Sequence, residues 1–181
     1  MRTAEDVLQF WFVEHGPDDW FAGSPAFDAK IAERFSQTHA HVAKAEAWEW
    51  RATPKGRLAE IIVLDQFSRQ LFRNDGAAFA QDRMALILAQ EMVGQGLDLQ
   101  FEQPQRGFIY LPFMHAESAA IQAASVRLYE ALGDADQLDY AVKHRETVDR
   151  FGRFPFRNTP LGRESTAPER AYMEEQAERR F

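Results

Sequence analysis

Leu58-Ala-Glu-Ile-Ile-Val-Leu-Asp-Gln-Phe-Ser-Arg-Gln-Leu-Phe-Arg73 is the stretch whose reading decides the fold. Leu58, Ile61, Ile62, Leu64, Phe67 and Leu71 recur at three- and four-residue spacing, the period of a helix rather than a strand. Their apolar arc is wide, which predicts a helix at the centre of the fold. Thr53-Pro54 supplies a start, with a hydroxyl at the N-cap and proline where its missing N–H costs nothing. Asn74-Asp75-Gly76 supplies the stop. Glu60 and Asp65 interrupt the run, so it does not read as a membrane span.

Outward from this helix the same pattern repeats, and runs of alternating β-branched residues are scarce. Thr3-Ala-Glu-Asp6 is a capping-box variant opening a first helix on which Val7, Leu8, Trp11 and Phe12 share a face. Gly16-Pro17 ends it, and Trp20 and Phe21 follow in a connector. Ser24-Pro25 starts a second helix, carrying Phe27, Ile31, Phe35 and Val42, that is expected to run to about Trp48 or Trp50. A fourth is expected from about Ala77 to Val93, a fifth from Pro112 to Leu132, a sixth from Asp136 to Phe151 and a last from Thr166 to about Arg179. The fold class is therefore all-α, about seven helices arranged as an α-hairpin array or irregular bundle. No linker or low-complexity segment divides residues 1–181, which predicts a single helical domain.

Composition narrows the function. With 45% hydrophobic and 13% aromatic residues the chain can bury a real core. There is no cysteine, which removes disulfides and thiol chemistry and is compatible with a reducing cytoplasm, the expected location. The N-terminus does not read as a signal peptide. A net charge of −7 argues against nucleic acid as partner, because phosphate backbones are held mainly by summed positive charge. Nucleotide-binding glycine loops, HExxH and GxSxG are all absent, so neither a cofactor nor a metal is expected.

Three polar groups stand within otherwise core-facing sequence. Asp65, Arg69 and Arg73 lie four apart on one helical face, in the favourable order for ion pairing. His115 and Glu117 follow Tyr110-Leu-Pro112 and form a candidate proton-transfer pair, or two metal ligands. Two residues is about 200° round a helix, however, which weakens a shared metal. Finally, Lys143 to Arg163 carries six arginine and lysine residues against two acids, with Phe151, Phe154 and Phe156 interleaved. Arginine forks suit carboxylate or phosphate.

Three readings follow. In the first, Asp65, Arg69, Arg73, His115, Arg153, Arg157, Asn158 and Arg163 line a cleft that binds a small anionic ligand or a peptide. In the second, an enzyme uses His115 or His144 as general base, oriented by Glu117 or Asp65, with arginines stabilising negative charge. In the third, the arginines and acids are a structural network holding the irregular residues 152–163. The first is favoured because arginine density beside aromatics is a positive feature.

The motifs Val7-Leu8-x-Phe10-Trp11-Phe12, Leu64-Asp65-Gln66-Phe67-x-Arg69-x-x-Phe72-Arg73, Tyr110-Leu111-Pro112-x-Met114-His115-x-Glu117 and His144-x(5)-Arg150-Phe151-Gly152-Arg153-Phe154-Pro155-x-Arg157-Asn158 carry a resemblance. So does Leu161-Gly162-Arg163-Glu164-Ser165-Thr166. Together they resemble a bacterial family known as domain of unknown function 924, grouped by fold with tetratricopeptide-like helical proteins. The resemblance implies an all-α fold and no particular activity. It also implies histidine where this chain has Phe156, and asparagine where it has Gln70.

Overall fold

The computed structural model describes residues 1–177, all helix, turn and loop without a strand among them. The helices are α1 (Ala4–Gln9), α2 (Pro17–Trp20), α3 (Pro25–Val42), α4 (Pro54–Ile61), α5 (Ser68–Leu71), α6 (Asp82–Gly94), α7 (Gln105–Met114), α8 (Ala119–Leu132), α9 (Ala135–Phe151) and α10 (Ala167–Ala177). A π-helical stretch, Ile62–Phe67, joins α4 to α5 as one continuous rod. With that rod counted once, the described residues form nine helices, against about seven expected. The additions are α2, where a connector was expected, and α7.

The rod is the centre, as its sequence requires. Every residue from Leu58 to Ser68 is buried. α1 packs on α4, α4 on α6 and α7, and α6 to α9 each pack against the next. One hydrophobic cluster joins side chains from α1 to α9. Its aromatic centre includes Trp11, whose ring meets Phe67 at 5.6 Å and Phe108 at 5.6 Å. Glu60, which interrupts the apolar run, is fully buried and accepts from Arg51 Nε and Nη2 at 2.8 and 2.7 Å. Gly56 lets the start of α4 pass under Trp50, whose carbonyl oxygen is 1.9 Å from where a Cβ would stand.

Most helix starts match the sequence. Thr3 and Asp6 form the capping box, and Ser24, Thr53 and Asp134 each accept from an amide of the first turn. The ends differ more. α3 stops at Val42 rather than near Trp48, because Ala45 takes a left-handed conformation (φ 59°) and turns the chain toward α4. The fourth helix starts at Asp82, with a 3-10 turn, Gly76–Phe79, in place of its expected first turns.

The expected fifth helix is two helices. Pro112 lies inside α7 instead of opening a helix, and α7 ends two residues later at Met114. Pro112 has no N–H to give Phe108 O. At the helix end Gln122 of α8 takes up carbonyls that no further turn would meet, donating to Met114 O at 2.7 Å and Ala116 O at 2.8 Å. His115 is thus the cap residue of α7, not part of a helix's first turn. The expected end of the last helix, Arg179, lies outside the described residues.

Candidate functional site

Asp65 sits on the π-helical stretch, 1% exposed, in a position that sequence alone would fill with an apolar residue. A carboxylate there needs compensation, since desolvation penalises charge. Three side chains supply it. Arg69 Nη1 stands 3.2 Å from Asp65 Oδ1, His115 Nδ1 is 2.8 Å from the same oxygen, and Gln66 Nε2 donates to Oδ2 at 2.5 Å. Burial by itself raises the Asp65 pKa, but Arg69, His115 and these hydrogen bonds outweigh it and hold it below the ordinary 3.8. Asp65 therefore stays ionised, accepts the Nδ1 proton of His115, and leaves His115 Nε2 as the ring's open nitrogen. Burial, then repulsion from Arg69, pulls the His115 pKa below 6.5 despite Asp65.

Arg69 connects this pair to a second acid. Its Nη1 is 3.0 Å from Asp82 Oδ1 and its Nη2 donates to Asp82 Oδ2 at 3.2 Å. Asp82 Oδ2 also accepts from Arg157 Nη1 at 3.1 Å. The Arg157 guanidinium lies between the rings of Phe79 and Phe154, 4.6 Å from each centroid. Its side chain is only 13% exposed, and burial, with repulsion from Arg69, pushes its pKa down to about 10. Its Nε and Nη2 have no hydrogen-bond partner among the described residues.

Arg157, at the outer end of this network, also lines a cleft of about 850 Å³ between α9, residues 154–157 and α10. Phe79, His144, Phe151, Phe154, Arg157 and Tyr172 line it. His144 donates from Nδ1 to Tyr140 O at 2.8 Å, which fixes its proton there and leaves Nε2 as an acceptor. Burial, with His115 adding repulsion, pushes the His144 pKa down to about 4. Its ring centroid is 6.4 Å from that of His115 and 5.5 Å from Phe154.

Of the residues singled out by sequence, Asp65, Arg69 and His115 meet in the buried network, Arg157 joins it through Asp82, and His144 and Arg157 line the cleft. The others do neither. Arg73 follows the end of α5, where Phe72 leaves helical geometry, so it departs from the Asp65 face and pairs with Asp28 of α3 at 2.7 and 2.8 Å. The pair His115–Glu117 is not formed. Glu117 is gripped by Arg163 at 2.7 and 2.8 Å and accepts from Phe154 N at 2.8 Å. Burial raises the Glu117 pKa, and the Arg163 and Phe154 hydrogen bonds more than reverse that. Asn158 accepts from Arg163 Nε at 2.9 Å and donates to Ser165 at 3.0 Å. Arg153 clasps Glu169 at 2.7 and 2.9 Å. Arg153, Arg163, Asn158 and Glu117 thus brace residues 152–166, while Arg157 lines the cleft and Arg69 stands in the network behind it.

Asp82 and Phe79 were missed. Asp82 looks like an ordinary first-turn acid of a helix, and Phe79 like an isolated apolar residue beside a turn. Among the described residues no three His, Asp or Glu side chains converge as a metal ion requires, and no helix is long and apolar enough to cross a membrane.

The fold and the cluster define an all-α protein with a buried acid–arginine–histidine network behind an aromatic cleft. The chain belongs to the bacterial protein family of unknown function DUF924, whose model matches residues 7–177. It is similar to the solved structure of a protein of unknown function, ATU0120, from Agrobacterium tumefaciens, with 40% identity and a TM-score of 0.90. That likeness covers 95% of this chain and 97% of the other. No curated protein matches.

Proposed function

We propose that this chain binds a small anionic molecule in the cleft between α9, residues 154–157 and α10, with Arg157 receiving the negative charge. The observation that carries this reading is the Arg157 guanidinium, largely buried between two phenylalanine rings with Nε and Nη2 unpartnered. No acceptor among the described residues takes these two donors, so an anion entering the cleft can use them without displacing a partner. The aromatic walls would take the apolar part of the ligand, and the cleft volume lies within the roughly 300–1,000 Å³ usual for small-molecule sites.

A thermal-shift screen of carboxylates and phosphates tests it, run on the wild type and on Arg157→Gln. A probe at about 100 times its Kd should stabilise the wild type by roughly 2.7 kcal/mol and leave the variant unmoved. Equal shifts in both proteins, or none in either, would remove Arg157 as the receiving group.

A second reading is supported by one distance, the 2.8 Å between His115 Nδ1 and Asp65 Oδ1, which is within reach for a base and its orienting acid. In it His115 Nε2 abstracts a proton from the bound ligand. Deuterium from D2O would then enter a C–H bond of a bound carboxylate with the wild type and not with His115→Gln. Incorporation at the buffer rate alone would set this reading aside.

A further inference from the structure

We infer that the ligand of the cleft is a monocarboxylate with an apolar or aromatic body, not a phosphate. The inference rests on the anion-binding reading above and narrows it to one chemical class. Four features support it.

First, the innermost donors are few. Arg69 is spent on Asp65 and Asp82, and Arg157 Nη1 on Asp82. Between Phe79 and Phe154 what is left is one guanidinium edge, Nε with Nη2, which matches the two oxygens of a single carboxylate as a planar fork. The other guanidinium of the cleft, Arg150, lies over Phe151 and Tyr172.

Second, the backbone gives no help to a phosphate. Sites for that group commonly use the free amides and positive dipole end of a helix N-terminus. Here α9 contributes Tyr140 to Phe151 of Ala135–Phe151, and α10 contributes Tyr172 to Gln176 of Ala167–Ala177. Neither helix brings its N-terminal turn to the cleft, so no free first-turn amides and no positive dipole end of either face it.

Third, the neighbouring imidazole is an acceptor. His144 gives its Nδ1 proton to Tyr140 O, so the neutral ring has a lone pair, not a donor, for the cleft. Fourth, a dianion would lie beside Asp82, which already touches Arg157 Nη1 at 3.1 Å. A singly charged group meets half that repulsion.

The walls complete the class. Phe79 and Phe154 flank the guanidinium, and Phe151 with Tyr172, 5.0 Å apart, extends the apolar surface outward. The carboxylate would come from a free acid or from the C-terminus of a peptide, and the two share the same head group.

Titration calorimetry on the full chain at pH 7.5 tests the inference with 3-phenylpropionate, phenyl phosphate, inorganic phosphate and a pentapeptide ending in phenylalanine. 3-Phenylpropionate should bind at least about ten-fold more tightly than phenyl phosphate, the margin of one well-formed charged hydrogen bond. Arg157→Gln should weaken it about ten- to hundred-fold. Arg157→Lys keeps the charge but not the fork, and should lose the preference for carboxylate. If phenyl phosphate binds as tightly as the acid or more so, and still needs Arg157, the carboxylate class is overturned while the anion site stands. If no probe binds, both fall. A pentapeptide that binds more tightly than 3-phenylpropionate marks a chain terminus as the source. One that binds less tightly marks a free acid, and either result upholds the class. Retained selectivity in Arg157→Lys overturns the argument from the fork.

Discussion

At the scale of single residues, Asp65 and Arg157 contrast two ways of burying a charge. Asp65 is 1% exposed and meets Arg69, His115 and Gln66, so its desolvation is answered from three sides. Asp65→Asn keeps the shape but leaves Arg69 buried beside a neutral amide. Loss of one partner of a buried pair costs about 3–5 kcal/mol, and a fall of that size in unfolding free energy, read as a lower denaturant midpoint at unchanged m-value, is expected. Arg157 is different, because burial and Arg69 both act against its charge, and Asp82, Glu117 and Asp65 together do not make up the loss. Arg157→Gln should therefore leave stability within about 1 kcal/mol of wild type, since Asp82 keeps Arg69 as its partner and a poorly compensated buried charge is removed. A large loss on chemical denaturation would make Arg157 architectural. The two residues are equally conspicuous in the sequence as charges among apolar neighbours. Their partners separate them, and the partners lie on other helices.

At the scale of elements, residues 152–166 have little regular structure beyond the 3-10 turn Pro155–Arg157, and side chains hold them in place. Gly152 reverses the chain after α9 with φ 71°, a conformation glycine adopts without strain. Glu117 then ties Phe154 N and Arg163 together from the α7–α8 connection. Glu117→Gln should raise the hydrogen-exchange rates of Phe154 and Arg163 amides about ten-fold or more, leaving those of Ile61 to Leu64 unchanged. Unaltered exchange at Phe154 would show that the aromatic packing alone positions the cleft wall. A second element-scale test is Gly56→Ala. Its Cβ would stand 1.9 Å from Trp50 O, a backbone atom, so α4 must shift. Overpacking of this kind costs about 1–3 kcal/mol, measurable by denaturation.

At the scale of the whole molecule, three histidines make stability depend on pH. Burial holds His39, His115 and His144 below the ordinary 6.5, His144 down to about 4. The unfolded chain therefore takes up protons that the folded chain refuses. Their contribution is complete above pH 6.5 and is lost as pH falls from there toward 4. Each proton taken up on unfolding gives a slope of up to about 1.4 kcal/mol per pH unit. Asp65 and Glu117, held below 3.8 and 4.5, continue the loss at lower pH. Unfolding free energies at pH 7.5, 6, 5 and 4 check this, and His144→Gln should flatten the upper part of the profile. A flat wild-type profile between pH 6.5 and 5 would contradict the burial of these rings.

The sequence determined the all-α class, the central place of Leu58 to Ser68 and most helix starts. Each of these follows from residues within a turn or two of one another. A 3.6-residue period marks the apolar face, and a hydroxyl or proline marks the first turn, whatever the rest of the chain does. The family, too, was readable in motifs spread over the chain. Tertiary structure alone decided that Asp65, Asp82, His115 and Arg157 meet, that Glu117 turns to Arg163 instead of His115, and that Arg73 and Arg153 stay out of the cleft. A charged side chain carries no local mark of its partner. Asp82 could cap its own helix or bridge Arg69 and Arg157, and only the packing of α6 against the central rod, with residues 154–157 folded back beside it, selects the second.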